Sequence, residues 1–261
     1  MTGTRSEEHV RQDILRLCHA GLDSMTLMVE TVKRLRKIMP IDASFLATAD
    51  PATLLFTGVV VDDVLARATG QFVENEFMQD DAVKFTRLAR GGSRVGSLSA
   101  ETRGELIRSA RYQEILAPMD LGDELRAALV SGSKCWGFMC LHREKAGSNF
   151  TAADAAFLEK LTPHLAEGLR TALLIGKVHV TTASTPGPGL LLLGDDLSLA
   201  GITPAAETWL AELTATDWPS STELPGSVYA VAARLLAVSR AWSHRRLGCR
   251  DAWSARRLTT I

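Results

Sequence analysis

Cysteine is scarce in this chain: four residues, Cys18, Cys135, Cys140 and Cys249, none of them in a Cys-x-x-Cys pair. That excludes a disulfide-stapled scaffold and a zinc-ribbon spacing. No window holds 18 apolar residues, so no membrane-spanning helix is expected. The first residues, Met1 to Arg11, are polar and do not read as a secretory signal, which makes the cytoplasm the expected compartment. Net charge is also nearly absent, −1 at pH 7 over 261 residues, so the chain as a whole offers no surface for a polyanion. Catalytic signatures are missing too. There is no His-Glu-x-x-His, no Gly-x-Ser-x-Gly, no phosphate-cradling Gly-x4-Gly-Lys-Ser/Thr and no Gly-x-Gly-x-x-Gly. The adjacent carboxylates Asp62/Asp63 and Asp195/Asp196 are better explained as helix or turn caps than as acid–base pairs. The expectation is a protein without catalysis, cofactor or metal.

What is present is an ordinary core-forming composition, 46% apolar and 23% charged. The charge is uneven. Residues 239–261 carry six arginines against one acid, net +5, which leaves −6 for the rest of the chain. This basic end reads as a solvated, disordered tail.

Periodicity organises the remainder. Leu22, Met25, Met28, Val29, Val32, Leu35 and Met39 recur at spacings of three and four, so a helix is expected from about Val10 to Met39. A break is expected at Gly21, a cap at Asp23 or Ser24, and a stop at Pro40. Ala43–Ala49 and Leu54–Val61 flank an Asp50-Pro51 turn and read as a β-hairpin. Residues 62–90 read as helical with a break near 79–81. A second hairpin is expected from Glu124–Val130 and Cys135–His142. Strict alternation along its later strand puts Trp136, Phe138, Cys140 and His142 on one face and Cys135, Gly137, Met139 and Leu141 on the other. Cys135 and Cys140 are thereby expected on opposite faces, as core residues rather than a redox pair. Both faces are largely apolar, so helices must cover each: the terminal helices one side, the middle segment the other.

Thr151 caps a further helix, with Asp154 as the acidic partner three residues on and Phe150 as the staple. Leu158, Leu161, Leu165 and Leu169 continue its stripe, and Pro163 predicts a kink or a restart capped by Thr162. Residues 181–189 (TTASTPGPG) form the clearest linker. Beyond them, Leu190–Leu193, Leu197–Ile202, helical Pro204–Leu213 and Val228–Val238 look like a small α/β segment too short to close its own sheet.

Three passages carry a resemblance. They are Tyr112 to Leu125 with Cys135 to His142, Phe150 to Leu169, and Gly189 to Glu207. Over about residues 10–238 the chain resembles the GAF-like and partial PAS-like sensor region of actinobacterial LuxR-type transcriptional regulators. The resemblance implies an α/β (α+β) fold with a GAF-like antiparallel sheet and helices on both faces, then a partial PAS-like segment. The implied division is a polar extension over 1–9, a sensor domain over 10–180, a linker over 181–189, a PAS-like segment over 190–238 and the tail over 239–261. It also implies a cytoplasmic homodimer through the terminal helices and a small-molecule effector. No helix-turn-helix follows residue 238, so DNA contact is expected only through a domain absent from this chain, as in a truncated regulator. The candidate ligand pocket lies between sheet and middle helices, with Trp136 and Phe138 on the strand and Phe72, Phe77 and Met119 closing over it. Two other functions compete: a thiol-redox enzyme on the same scaffold, and a relic acting only through protein–protein contact.

Overall fold

A computed structural model of the chain describes residues 2–178, 188–194, 196–214 and 224–238. Most of the expected linker, and the whole basic tail, lie outside these residues.

The N-terminal pair of helices is α1 (Thr2–Cys18) and α2 (Ser24–Leu35). α1 starts well before Val10, and side-chain pairs one turn apart support it there: Arg11 donates to Glu8, and Arg16 to Asp13. Asp23 is the cap of α2, accepting from the backbone N–H of Met25 and Thr26. Next come β1 (Ala43–Ala49) and β2 (Phe56–Val61), joined by a turn in which Asp50 accepts from the N–H of Ala52 and Thr53. The middle segment holds α3 (Asp63–Ala66), α4 (Thr69–Met78), α5 (Phe85–Arg90), β3 (Val95–Ser97), α6 (Leu98–Glu101), and short helical turns over Leu106–Arg108 and Tyr112–Met119.

Two long strands follow, β4 (Leu121–Ser131) and β5 (Lys134–Glu144). Gly132, at φ +60, opens their two-residue loop, where such a hairpin needs a left-handed residue. α7 (Ala152–Val178) runs on through Pro163, so of the kink or restart expected there the restart does not occur. The reason is local: proline cannot donate to the carbonyl of Glu159 four residues back, and the Thr162 hydroxyl does so instead, at 2.9 Å. The Thr151–Asp154 box at its start is formed as expected. β6 (Leu191–Leu193), β7 (Leu199–Ile202), α8 (Pro204–Thr214) and α9 (226–238) complete the described chain.

Strands β1 to β5 form one antiparallel sheet in the order β2-β1-β5-β4-β3, and β6 pairs with β7 separately. Each face of the large sheet has its own core, as expected. α1, α2 and α7 bury Leu27, Met28, Leu35, Leu158, Leu161 and Leu169 against one face. α3 to α6 and the turns cover the other, where Phe45, Phe56, Phe72, Phe85 and Phe138 meet. Ala230 and Ala233 of α9 join this second core, so the C-terminal helix packs against the large-sheet unit. The stripes expected to form a dimer seam are therefore spent on the chain's own sheet. Near the end of α7, Leu174 and Ile175 remain exposed. Among the described residues no helix is long and apolar enough to cross a membrane.

Candidate functional site

The inner face of the sheet, beneath α4 and α5, is set by three ranks of cross-strand neighbours. Across β1, β5 and β4 they run Ala43–His142–Glu124, Phe45–Cys140–Arg126 and Ala47–Phe138–Ala128. Two ranks thus place four polar side chains side by side, all four wholly buried. Around them stand Asn75 and Glu76 from α4, Asp81 and Lys84 from the following loop, and Arg111 from the segment before β4.

Arg111 is the hub. Its Nε donates to Glu124 Oε1 at 2.8 Å, Nη1 to Asn75 Oδ1 at 3.0 Å and Nη2 to the Ala82 carbonyl at 2.9 Å. A further bond joins Nη2 to Glu124. Arg126 donates from Nη1 to Glu76 at 2.8 Å and to the Val83 carbonyl, while its guanidinium carbon lies 4.3 Å from the centre of the Phe85 ring. Its Nε sits 3.0 Å from Glu124 Oε1 as an ion pair, but the N–H is not aimed to make a hydrogen bond. Three cations (Lys84, Arg111, Arg126) thus balance three carboxylates (Glu76, Asp81, Glu124) inside the core. Among the described residues, both ring nitrogens of His142 and Nε and Nη2 of Arg126 have no hydrogen-bond partner.

The electrostatics follow from burial and pairing. Burial pushes Glu124 toward neutrality, but the guanidiniums of Arg111 and Arg126 outweigh it and hold the carboxyl down at about 2. Burial lowers His142 to about 4, so its imidazole is neutral at pH 7. Burial, then the Glu124 carboxylate, push the Cys140 thiol well up. Burial also lowers Lys84 to about 8. The Cys140 thiol donates to Glu124 Oε2 at 3.3 Å.

The five residues expected to line a pocket are not brought to one place. Phe72 and Phe138 are buried in the inner core, and Phe77 and Met119 pack at its margin. Trp136 lies on the opposite face with α2 and α7. The correction has a geometric cause. Leu129 pairs with Gly137 and Val130 with Cys135, which leaves Trp136 as the extra residue of a β-bulge. The bulge shifts the alternation by one, so Trp136 changes sides and Cys135 joins Phe138 and Cys140 on the inner face. The expectation of opposite faces for the two cysteines fails for the same reason. Both thiols are free and buried.

Two further clefts surround this sheet. Trp136 lines one of about 380 Å³ with Met25, Pro51, Leu173 and Leu213. The other, of about 590 Å³, lies over Phe56 between β2, β6 and α9, and is walled by Leu191, Leu193, Val228 and Val231. Phe56 links it inward, its ring centre being 5.2–6.1 Å from those of Phe45, Phe77, Phe85 and Phe138.

The chain matches no family model, and no curated protein matches it. Solved structures do. It is similar to the GAF domain/HD domain protein from Geobacter sulfurreducens, at 16% identity over 60% of this chain and 98% of that one, TM-score 0.45. It is similar to the phycoerythrobilin-bound GAF domain from a cyanobacterial phytochrome, at 12% identity over 65% and 96%, TM-score 0.46. A third is the VqsR LBD domain from Pseudomonas aeruginosa, at 17% identity over 62% and 96%, TM-score 0.41. The mixed α/β architecture stands on the strand order and the two helical layers described above.

Proposed function

We propose that this protein is a sensory module that takes a small apolar effector and performs no catalysis. The observation that carries this reading is the 590 Å³ cleft over Phe56. Its volume and apolar walls suit an organic ligand. It is built jointly by the edge of the large sheet and by the C-terminal elements, so occupancy bears on both. Phe56 passes a displacement into a close-packed aromatic cluster, and packed interiors transmit such shifts. The sequence motifs that resemble LuxR-type sensor regions support a place in a transcriptional regulator. DNA contact is assigned to no described element. A second copy docking through the terminal helices would have to use outward residues such as Leu174 and Ile175, since the inward stripes are occupied. Against catalysis by a free thiol stands the burial of Cys135 and Cys140, neither of which is open to a substrate.

A thermal-shift screen with small apolar compounds tests the reading. A binder at about one hundred times its Kd raises stability by about 2.7 kcal/mol. Val231→Arg, at an exposed position of the cleft wall, should abolish that shift without lowering the Tm of the free protein. An unchanged shift in this variant would remove the cleft from the proposal. Exposed Leu213, Val231 and Leu235 on the cleft wall favour a second reading, in which a protein partner covers the same surface.

A further inference from the structure

The register of β4 and β5 does more than bury charge. It sets Glu124 directly across from His142, with Cys140 two residues before His142 on the same face. One carboxylate oxygen, one thiol sulfur and one imidazole nitrogen from these residues lie within 4.8 Å of one another. Sγ of Cys140 is 3.3 Å from Glu124 Oε2, and Nδ1 of His142 is 3.9 Å from the same oxygen. A tetrahedral metal ion with bonds of about 2.0–2.3 Å spaces its ligands about 3.3–3.8 Å apart. The two separations at Glu124 Oε2, 3.3 and 3.9 Å, lie at or just beyond that range, and the thiol and imidazole are within 4.8 Å of each other.

The two oxygens of Glu124 are used differently. Oε1 is held by Arg111, with Arg126 beside it, while Oε2 faces Cys140 and His142. The guanidiniums are matched by Glu76 and Asp81, at 2.8 and 3.7 Å. With Lys84 also buried here, three cations already balance three carboxylates, so a divalent cation entering the triad adds two charges, of which the departing Cys140 proton offsets one. His142, wholly buried and with neither ring nitrogen bonded, supplies a neutral donor with nothing else to do.

We propose that Glu124, Cys140 and His142 bind a divalent first-row transition-metal ion such as Zn(II). Thiolate, imidazole and carboxylate together select this class over Mg(II) or Ca(II). On binding, the metal–sulfur bond forms as the Cys140 S–H bond breaks, and the proton leaves to solvent. Three protein ligands leave one coordination position for a small electron-pair donor, water included. Arg111 is a positioning residue, fixing the carboxylate by its other oxygen. The site is distinct from the effector cleft over Phe56, so either proposal can fail without the other.

Because the triad is buried, loading belongs to folding. The full chain, produced in zinc-supplemented medium and purified without chelator, should carry about one zinc per chain by elemental mass spectrometry. The same chain refolded with Co(II) should show a thiolate-to-cobalt charge-transfer band. Cys140→Ser and His142→Gln should lose both signals, whereas Cys135→Ser should keep them. No bound ion and no band in the wild-type chain would overturn the proposal, as would a band that persists in a folded Cys140→Ser chain. If neither variant folds, the wild-type measurements and the Cys135→Ser control decide alone: a band lost with Cys135 refutes the assignment.

Discussion

Replacing Arg111 by methionine asks whether the buried charges act as a mutually dependent set. The side chain is wholly inaccessible and engages Glu124, Asn75 and the Ala82 carbonyl. Removing one member of a buried ion pair costs about 3–5 kcal/mol, because the other charge stays behind. Glu124 keeps Arg126 at 3.0 Å, which places its own share at the low end. Asn75 and the Ala82 carbonyl lose partners too, and bared buried groups cost about 1–3 kcal/mol each before relaxation. We expect about 5 kcal/mol in total, or a fall in Tm of about 10–20 °C for a domain of this size. Urea unfolding followed by circular dichroism measures it. Adding Glu124→Gln to Arg111→Met removes the stranded charge, and should recover about 1–3 kcal/mol. The reasoning fails if the single variant stays within about 1 kcal/mol of the parent, or if the double variant is no more stable than Arg111→Met.

Three further outcomes are expected. Gly137→Ala should cost about 1–3 kcal/mol by urea unfolding, since a Cβ there would meet the Ala47 carbonyl oxygen at 2.7 Å and Leu169 Cδ1 at 2.8 Å. Thr162→Val keeps the shape but bares the Glu159 carbonyl beside Pro163, so it should lower stability by about 1 kcal/mol, and an unchanged urea midpoint would discredit the hydroxyl's role in satisfying that carbonyl. Burial raises Cys18 and Cys135 from 9.0 to about 11. The folded thiols thus keep protons that the unfolded chain releases, and their contribution to stability is full below pH 9 and declines up to about pH 11. Lys84, lowered by burial to about 8, works in the opposite sense between pH 8 and 10.5. The comparison is therefore between the parent and a Cys18→Ala/Cys135→Ala variant, which should lose less stability between pH 9 and 11 than the parent does.

Layering was legible because it follows from pattern. The stripes of α2 and α7 at spacings of three and four predict which residues meet the sheet, and Met28, Val32, Leu158 and Leu165 do so. Caps were legible for a similar reason: Asp23 and Thr151 sit where the first helical N–H groups need acceptors. β3, only three residues long, leaves no periodicity to read. The bulge at Trp136 was hidden because strict alternation is the only rule a single strand displays. Its extra residue is defined by β4, the partner, through the pairing of Leu129 and Val130.

The buried network is a different case, since its signal was available. Glu124 and Arg126 stand two apart in a strand that must be covered on both faces, so they share one face and cannot reach water. A charge in that position requires an opposite charge or a metal. Cys140 and His142, also two apart on the neighbouring strand, supply the facing pair once the hairpin register is known. Arg111 could not be found this way. It lies in a short helical turn thirteen residues before Glu124, and its place beside that carboxylate is decided by where the turns over Leu106–Arg108 and Tyr112–Met119 lead the backbone. Two cations converge on Glu124 Oε1 while Oε2 faces a thiol and a neutral imidazole, so the chemistry of this face is set by which side of one carboxylate each neighbour approaches.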